Sequence, residues 1–219
     1  MTLAIFDLDN TLLSGDSDYS WGQFLVNKGI VDKQDYAEAN EKFYKQYALG
    51  KLDIHAFSAF AFKALSENTD ETLAAWHNEF MQESILPIMS TKGIDLVNEH
   101  RELGHTLLVI TATNSFITAP IVEHFGIPHL LATDPKRENG KYTLEIAGTP
   151  CFQEGKVIRL NAWIAKNNES MEGSYFYSDS HNDLPLLKMV DHPVAVDPDD
   201  TLKIYAEENE WQIMSLRNP

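Results

Sequence analysis

The sequence predicts an α/β fold: a mostly parallel sheet covered by helices on both faces, with an all-helical insertion after the first strand. Three features carry that prediction. A short apolar strand at the start runs into Asp7-Leu8-Asp9, four amphipathic helical stretches follow one another between residues 14 and 87, and strands alternate with helices from residue 88 onward.

Ala4-Ile5-Phe6 is continuously apolar and then turns polar, as a strand buried on both faces does at its end. In the insertion the apolar positions change to helical spacing. Trp21, Phe24 and Leu25 share one face; Tyr36, Asn40, Phe43, Tyr44 and Tyr47 share the next, with Gly50 as a stop. Phe57, Phe60, Ala61, Ala64 and Leu65 follow an N-cap candidate at Asp53, and Leu73, Trp76, Phe80 and Met81 follow Asn68-Thr69-Asp70. These stripes are chiefly the insertion's own core, and Trp21, Phe24, Phe57 and Phe60 are left as candidates for lining a cleft. Pro87 ends the run. Beyond it, helices are predicted over 93–103, 116–125, 154–166, 183–190 and 201–208, and strands over 106–110, 130–132, 142–146, 175–177, 194–196 and 212–215. Such alternation builds βαβ units and a parallel sheet. The expected division is therefore a core of residues 1–13 and 88–219 and a helical unit of residues 14–87.

A chain of 219 residues can bury a substantial core without staples. Its 17 Lys and Arg against 33 Asp and Glu, a formal charge of −16, argue against a nucleic-acid or anionic-membrane surface. The apolar start is too short and, with Asp7 and Asp9, too acidic for a signal peptide or a span, so a cytoplasmic location is expected. The single cysteine, Cys151, rules out an intrachain disulfide and a Cys₄ or Cys₂His₂ zinc site. The histidines are scattered without zinc-ligand spacing; His181 alone lies in a segment where it could touch a ligand.

Parallel sheets hold ligands outside the carboxyl ends of their strands. Those ends carry Asp7 and Asp9, then Thr111-Ala112-Thr113-Asn114, then Asp179 through Asp183, while Lys156 opens a helix. Carboxylates gathered in this way repel one another unless a cation neutralises them. A few hard oxygen ligands with water suit Mg²⁺, and Mg²⁺ held by carboxylates is a usual partner of phosphate. Lys156, the Thr111 hydroxyl and backbone N–H groups at helix starts near Thr113-Asn114 and after Asp179 would offset the remaining phosphate charge.

Asp7-Leu8-Asp9-Asn10-Thr11-Leu12 resembles the first motif of haloacid-dehalogenase-like (HAD) phosphatases, whose fold is Rossmann-like. Thr111 resembles their second motif, Lys156 their third, and Asp179 through Asp183 their fourth. A helical insert directly after the first motif marks the phosphoserine-phosphatase-like branch with a C1 cap. Leu13-Ser14-Gly15-Asp16, Val196-Asp197-Pro198-Asp199 and Trp211-Gln212-Ile213 are similar to the branch containing bacterial histidinol-phosphate phosphatases. The resemblance implies Asp7 as nucleophile and Asp9 as general acid–base. It implies Mg²⁺ on the Asp7 carboxylate, the Asp9 carbonyl and Asp179, with Asp183 on metal waters, and phosphate held by Thr111, Ala112 and Lys156.

In phosphoserine phosphatases the position matching Asp16 is acidic and binds the substrate amine, and a cap arginine binds its carboxylate. Counting from Gly50-Lys51-Leu52 puts the arginine's place at Ala61, with only Lys63 nearby. An amino-alcohol phosphate such as histidinol phosphate is therefore favoured over phosphoserine. The expected partner is a small phosphorylated metabolite, and the chain is expected to be a monomer or homodimer. The alternatives are a phosphotransferase or mutase using the same aspartyl-phosphate, or a non-catalytic phosphate-binding or receiver-like protein.

Overall fold

The computed structural model describes residues 2–217. β1 (Leu3–Phe6) leads through a wide turn over Leu8–Leu12 into five helices: α1 (Ser17–Asn27), α2 (Lys33–Ala48), α3 (Ile54–Ala61), α4 (Lys63–Ser66) and α5 (Asp70–Phe80). Asp16, Asp32, Asp53 and Thr69 cap α1, α2, α3 and α5 through side-chain oxygens that accept first-turn N–H groups. The chain then alternates: α6 (Thr91–Glu102), β2 (Thr106–Asn114), α7 (Ser115–His124), β3 (His129–Thr133), β4 (Pro135–Glu138), β5 (Lys141–Ile146), α8 (Glu154–Asn167), β6 (Tyr175–Ser178), α9 (Leu184–Leu187), β7 (His192–Val196), α10 (Asp200–Glu208) and β8 (Gln212–Met214).

The main sheet has six parallel strands in the order β3-β2-β1-β6-β7-β8. Alternation along the strands sorts side chains onto two faces. Ala4, Phe6, Leu107 and Val109 face α1, α6 and α7, whereas Leu3, Ile5, Leu108 and Ile110 face α8, α9 and α10. All four residues of β1 are fully buried, as the central strand of a doubly covered sheet must be. Strand order reverses on either side of β1, so the crevice at its carboxyl end is the topological switch point.

Several expected elements differ in detail. β2 does not stop at Ile110 but continues to Asn114, with a register shift against β3, so Thr111 and Ala112 lie within the strand. The segment predicted as a helix over 183–190 is a 3₁₀ turn, His181–Asp183, followed by the single turn of α9. β5 is not in the main sheet. It pairs antiparallel with β4, a strand that hydrophobic patterning misses because Pro135-Lys136-Arg137-Glu138 is charged. The hairpin's readable signal is Asn139-Gly140, both at positive φ, the turn chemistry of a tight hairpin. The hairpin braces the insertion: Tyr142 and Ile146 pack on the Phe62, Leu65 and Leu73 cluster. Arg137 reaches both carboxylate oxygens of Asp70 at 2.8 and 2.9 Å.

His100 gives the core a pH-dependent element. It is 4% exposed, with Nδ1 2.8 Å from His105 Nδ1 and Nε2 2.7 Å from the Tyr177 hydroxyl. Burial, with His105 alongside, pushes its pKa down to about 4. The folded state therefore holds His100 neutral while the unfolded chain protonates it from the ordinary range downward. Its stability contribution is full above about pH 6.5 and is lost as pH falls toward 4. The wild type is expected to lose about 2 kcal/mol from this group between about pH 7.5 and about pH 5. Urea unfolding at both pH values should show a clearly smaller loss in His100→Gln; equal losses would contradict the assignment.

Candidate active site

The carboxyl ends of β1, β2 and β6 and the first turn of α8 meet at the switch point. Lys156, 3% exposed, donates from Nζ to Asp7 Oδ1 at 2.8 Å and to Asp183 Oδ2 at 2.7 Å. Thr11 Oγ1 lies 3.4 Å from Asp7 Oδ2 and 3.2 Å from Asp179 Oδ1, spanning the two carboxylates. Ser178 Oγ donates to Asp183 Oδ2 at 2.7 Å. The Asp9 carboxylate turns toward the insertion. It accepts from Ser17 N–H at 2.6 Å and Thr113 Oγ1 at 2.8 Å, with Thr111 Oγ1 at 3.5 Å. Residues from β1, β2, α8 and the loop after β6, expected to meet from sequence alone, do meet.

Local chain geometry explains how. The turn after β1 carries Asn10 at φ 55°, which swings the backbone back so that Asn10 N–H bonds Gly15 O at 2.9 Å. Arg217 holds the same turn from the other end of the chain through the Leu13 carbonyl at 3.0 Å and the Asn10 carbonyl. Asn114 Oδ1 caps α7 by accepting from Ile117 N–H at 3.2 Å, ending β2 beside Asp9.

Charge in this cluster is not balanced by protein cations alone. Burial pushes Asp7 up to about 7, against the pull of Lys156 and with a further push from Asp183. Burial, then Asp7 and Asp183, drive Asp179 well above the carboxylate range. Burial and then Asp16 raise Asp9 to about 6. Lys156 is stabilised as the ammonium by Asp183 and Asp7, whose attraction outweighs its own burial.

A cavity of about 730 Å³ opens above these groups. Its floor includes Asp7, Asp9, Thr111, Ala112, Lys156 and Asp183. The insertion supplies the far wall: carboxylates from Asp16, Asp18 and Glu41, and aromatic rings from Tyr19, Phe43, Tyr44, Tyr47 and Phe57, with Phe152 from the core side. Lys156 is the only cation among the lining residues, and Asp7 and Asp183 already engage it. Asp16 Oδ1 also accepts from Tyr19 N–H at 2.8 Å, and burial raises its pKa. Burial, with Asp16 and Asp9 alongside, holds Asp18 well above the carboxylate range.

Several expectations need correction. Of the four aromatics considered for the cleft, only Phe57 lines it; Trp21 and Phe24 are in the core, and Phe60 packs in tilted contact with Tyr36 and Phe43. Ala61 packs on the Phe62 cluster and Lys63 is exposed, so neither marks the substrate position that counting suggested. His181 is outside the lining: its Nδ1 pairs with Asp199 Oδ2 at 2.7 Å and its N–H bonds the same oxygen. The N–H groups of Thr113, Ser180 and Asn182 point to the hydroxyls of Thr111, Ser178 and Ser180, each at 3.2 Å. Sequence reasoning assigns a site role to the backbone N–H groups near Thr113 but none to the hydroxyls of Thr11 and Thr113. Thr11 stands inside the first motif, and Thr113 stands two positions after Thr111 on the same side of β2, which is the signal that would have found it.

No three His, Cys, Asp or Glu side chains among the described residues already enclose a common metal point. The direct oxygen donors facing one another are the carboxylates of Asp7 and Asp179, the pair that Thr11 spans.

Residues 4–188 match the profile of the haloacid dehalogenase-like hydrolases. The chain belongs to this family. It is 45% identical to a histidinol-phosphatase of Neisseria meningitidis, an alignment covering 98% of this chain and 99% of the relative. A Bordetella pertussis protein described as of unknown function superposes with a TM-score of 0.93 at 42% identity, covering 99% of this chain and all of that one. A substrate-bound phosphoserine phosphatase shares the fold, with a TM-score of 0.71 at 17% identity over 99% of this chain and 93% of the other. The dehalogenase-like hydrolase fold thus accounts for the six-stranded sheet and for where its strand ends converge. Among the described residues, no helix is long and apolar enough to cross a membrane.

Proposed function

We propose that this chain is a Mg²⁺-dependent phosphomonoesterase that hydrolyses a small amine-bearing phosphate ester through an aspartyl-phosphate on Asp7, with histidinol phosphate favoured over phosphoserine. One observation carries the reading: a cavity with a carboxylate–lysine floor faces a wall of carboxylates and aromatic rings that has no cation of its own. The helices of residues 14–87 act as the cap that closes this cavity, and residues 1–13 and 88–219 form the catalytic core.

The donor set fits Mg²⁺. Buried Asp7 and half-buried Asp179 face each other across Thr11, and the nearest ammonium, Lys156, reaches only Asp7 of the two. Asp7, Asp179 and the Asp9 carbonyl would hold the ion, with Asp183 behind its waters, a low protein-ligand count that suits this cation. When bound, it neutralises the excess carboxylate charge and that of the incoming phosphate.

The chain's own groups then divide the reaction. Lys156 fixes Asp7 by one carboxylate oxygen and, with Thr111 and the Ala112 segment of β2, borders the place for the phosphate. The Asp7 carboxylate attacks phosphorus, and the bond between phosphorus and the ester oxygen breaks. Asp9, held by Ser17 N–H and Thr113, gives its proton to the departing alkoxide. A water then loses a proton to Asp9 and attacks the acyl phosphate, releasing inorganic phosphate and restoring Asp7.

The wall selects the alcohol. Asp16 and Asp18 suit an ammonium or imidazolium, the rings suit a flat group, and every charged side chain on the wall is acidic, so a substrate carboxylate would find no counter-charge there. Hydrolysis of histidinol phosphate is expected to exceed that of phosphoserine by roughly 100-fold in kcat/KM, the scale of a misplaced like charge. Asp16→Ala should raise KM for amine-bearing esters by roughly tenfold while changing that for p-nitrophenyl phosphate little. Equal hydrolysis of the two substrates, or equal KM changes in Asp16→Ala, would remove the amine-recognition reading. Phosphoryl transfer to an added alcohol without phosphate release would indicate a phosphotransferase.

A further inference from the structure

Gln153, immediately before α8, has φ 48° and ψ −122°, a conformation that side-chain-bearing residues seldom adopt. Its side chain makes no capping bond to α8. It reaches away instead: Nε2 donates to the Gly50 carbonyl at 3.2 Å and to Asn182 Oδ1 at 2.9 Å. Gly50 ends the turn after α2 in the insertion, Asn182 lies between Asp179 and Asp183, and Lys156 follows Gln153 in the first turn of α8. One carboxamide thus ties together the insertion, the loop bearing two acidic site residues and the helix bearing the site lysine.

Neighbouring contacts run between the same parts. Asn182 Nδ2 donates to the Tyr47 carbonyl at 3.4 Å, and the Tyr47 hydroxyl donates to Ser180 Oγ at 3.0 Å. The Tyr47 and Phe152 rings have centroids 6.1 Å apart. Both partners of the Gln153 amide are carbonyl oxygens, so the position requires a group with two donor hydrogens. A carboxylate of the same shape would donate nothing and would repel both.

We infer that Gln153 is a positioning residue that latches the helical insertion in its closed seat over the site. It acts through Gly50 and Asn182 and touches no reacting atom. Without the latch the seated arrangement is less populated, so the apparent KM rises as that population falls, while turnover at saturation changes little because bound substrate favours closure. This kinetic consequence rests on the phosphatase reading above; the contact itself does not.

The test uses the full chain with Gln153→Glu, which keeps the shape and removes the donors, and Gln153→Gly, which also relieves the positive-φ strain. Hydrogen exchange is read at residues 46–52, where Gly50 N–H bonds Tyr47 O at 2.9 Å and Lys51 N–H bonds Gln46 O at 2.8 Å. Both variants are expected to exchange roughly tenfold faster there, as loss of two modest hydrogen bonds allows, with β1 and β2 unchanged. Gln153→Gly should melt no lower than the wild type. KM for the preferred ester should rise roughly tenfold with kcat kept within about twofold. Unchanged exchange at 46–52, faster exchange spread over the whole sheet, or a fall in kcat with KM kept would each overturn the inference. A wild type that hydrolyses no phosphate ester would remove the phosphatase reading, and the exchange measurement would still decide the latch.

Discussion

Asp7→Asn is expected to lower kcat by roughly 10⁴-fold or more, because it removes the group that takes the phosphoryl from the ester. An amide is a poor nucleophile and cannot form the acyl phosphate. The substitution also takes one negative charge from a cluster in which burial and Asp183 raise the proton affinity of Asp7, burial with Asp7 and Asp183 raises that of Asp179, and Lys156 is the nearby ammonium. The metal-free variant should therefore unfold no earlier than the wild type, since it keeps the shape of the site and relieves repulsion. Lost activity with retained stability separates a chemical role from a structural one. Activity near the wild-type level would refute the assignment, and loss of both together would make Asp7 chiefly a scaffold.

Asp9→Asn should discriminate among leaving groups. An alkyl alkoxide needs a proton as it departs, so hydrolysis of histidinol phosphate is expected to fall by roughly 10²- to 10⁴-fold. A nitrophenolate leaves without that help, so the first transfer from p-nitrophenyl phosphate should persist. The second step also uses Asp9, to take a proton from water, and should slow for every substrate. Stopped-flow measurement is therefore expected to show a stoichiometric burst of nitrophenolate followed by slow turnover. The geometry supports this division: Asp9 faces Ser17 N–H and Thr113 rather than Lys156, so its carboxylate is free of the ammonium that fixes Asp7. Equal losses for both esters with no burst would mean that Asp9 only shapes the site.

Strand ends made much of the floor legible from sequence. A continuous apolar run stopping at Asp7, another running into Thr111, and a third stopping near Asp179 had to lie side by side once the helices between them implied a parallel sheet. Lys156 fell into place because α8 begins on the same edge. The wall was less legible for a physical reason. Helical spacing shows that Phe43, Phe57 and Phe60 lie on apolar faces, but not which face meets another helix and which meets a cavity. Tyr44 illustrates this: it shares a stripe with Phe43, lines the cavity mouth and is 71% exposed. Contacts made by one side chain across the fold, such as Arg217 on the turn after β1 or Gln153 on Gly50, have no periodic signature at all. The β4–β5 hairpin lay between. Its Asn139-Gly140 turn was readable, but its charged first strand carried no alternation.

The central claim is that phosphorus passes through a covalent bond to Asp7. It is tested most directly by mixing the wild-type protein with Mg²⁺ and histidinol phosphate, quenching in acid during turnover, and mapping phosphoryl groups by peptide mass spectrometry. One phosphoryl group is expected on the peptide containing Asp7, at a substoichiometric level set by the two steps, and none on that peptide from Asp7→Asn. Steady release of phosphate with that peptide unmodified throughout, or with the phosphoryl group on another residue, would contradict the account.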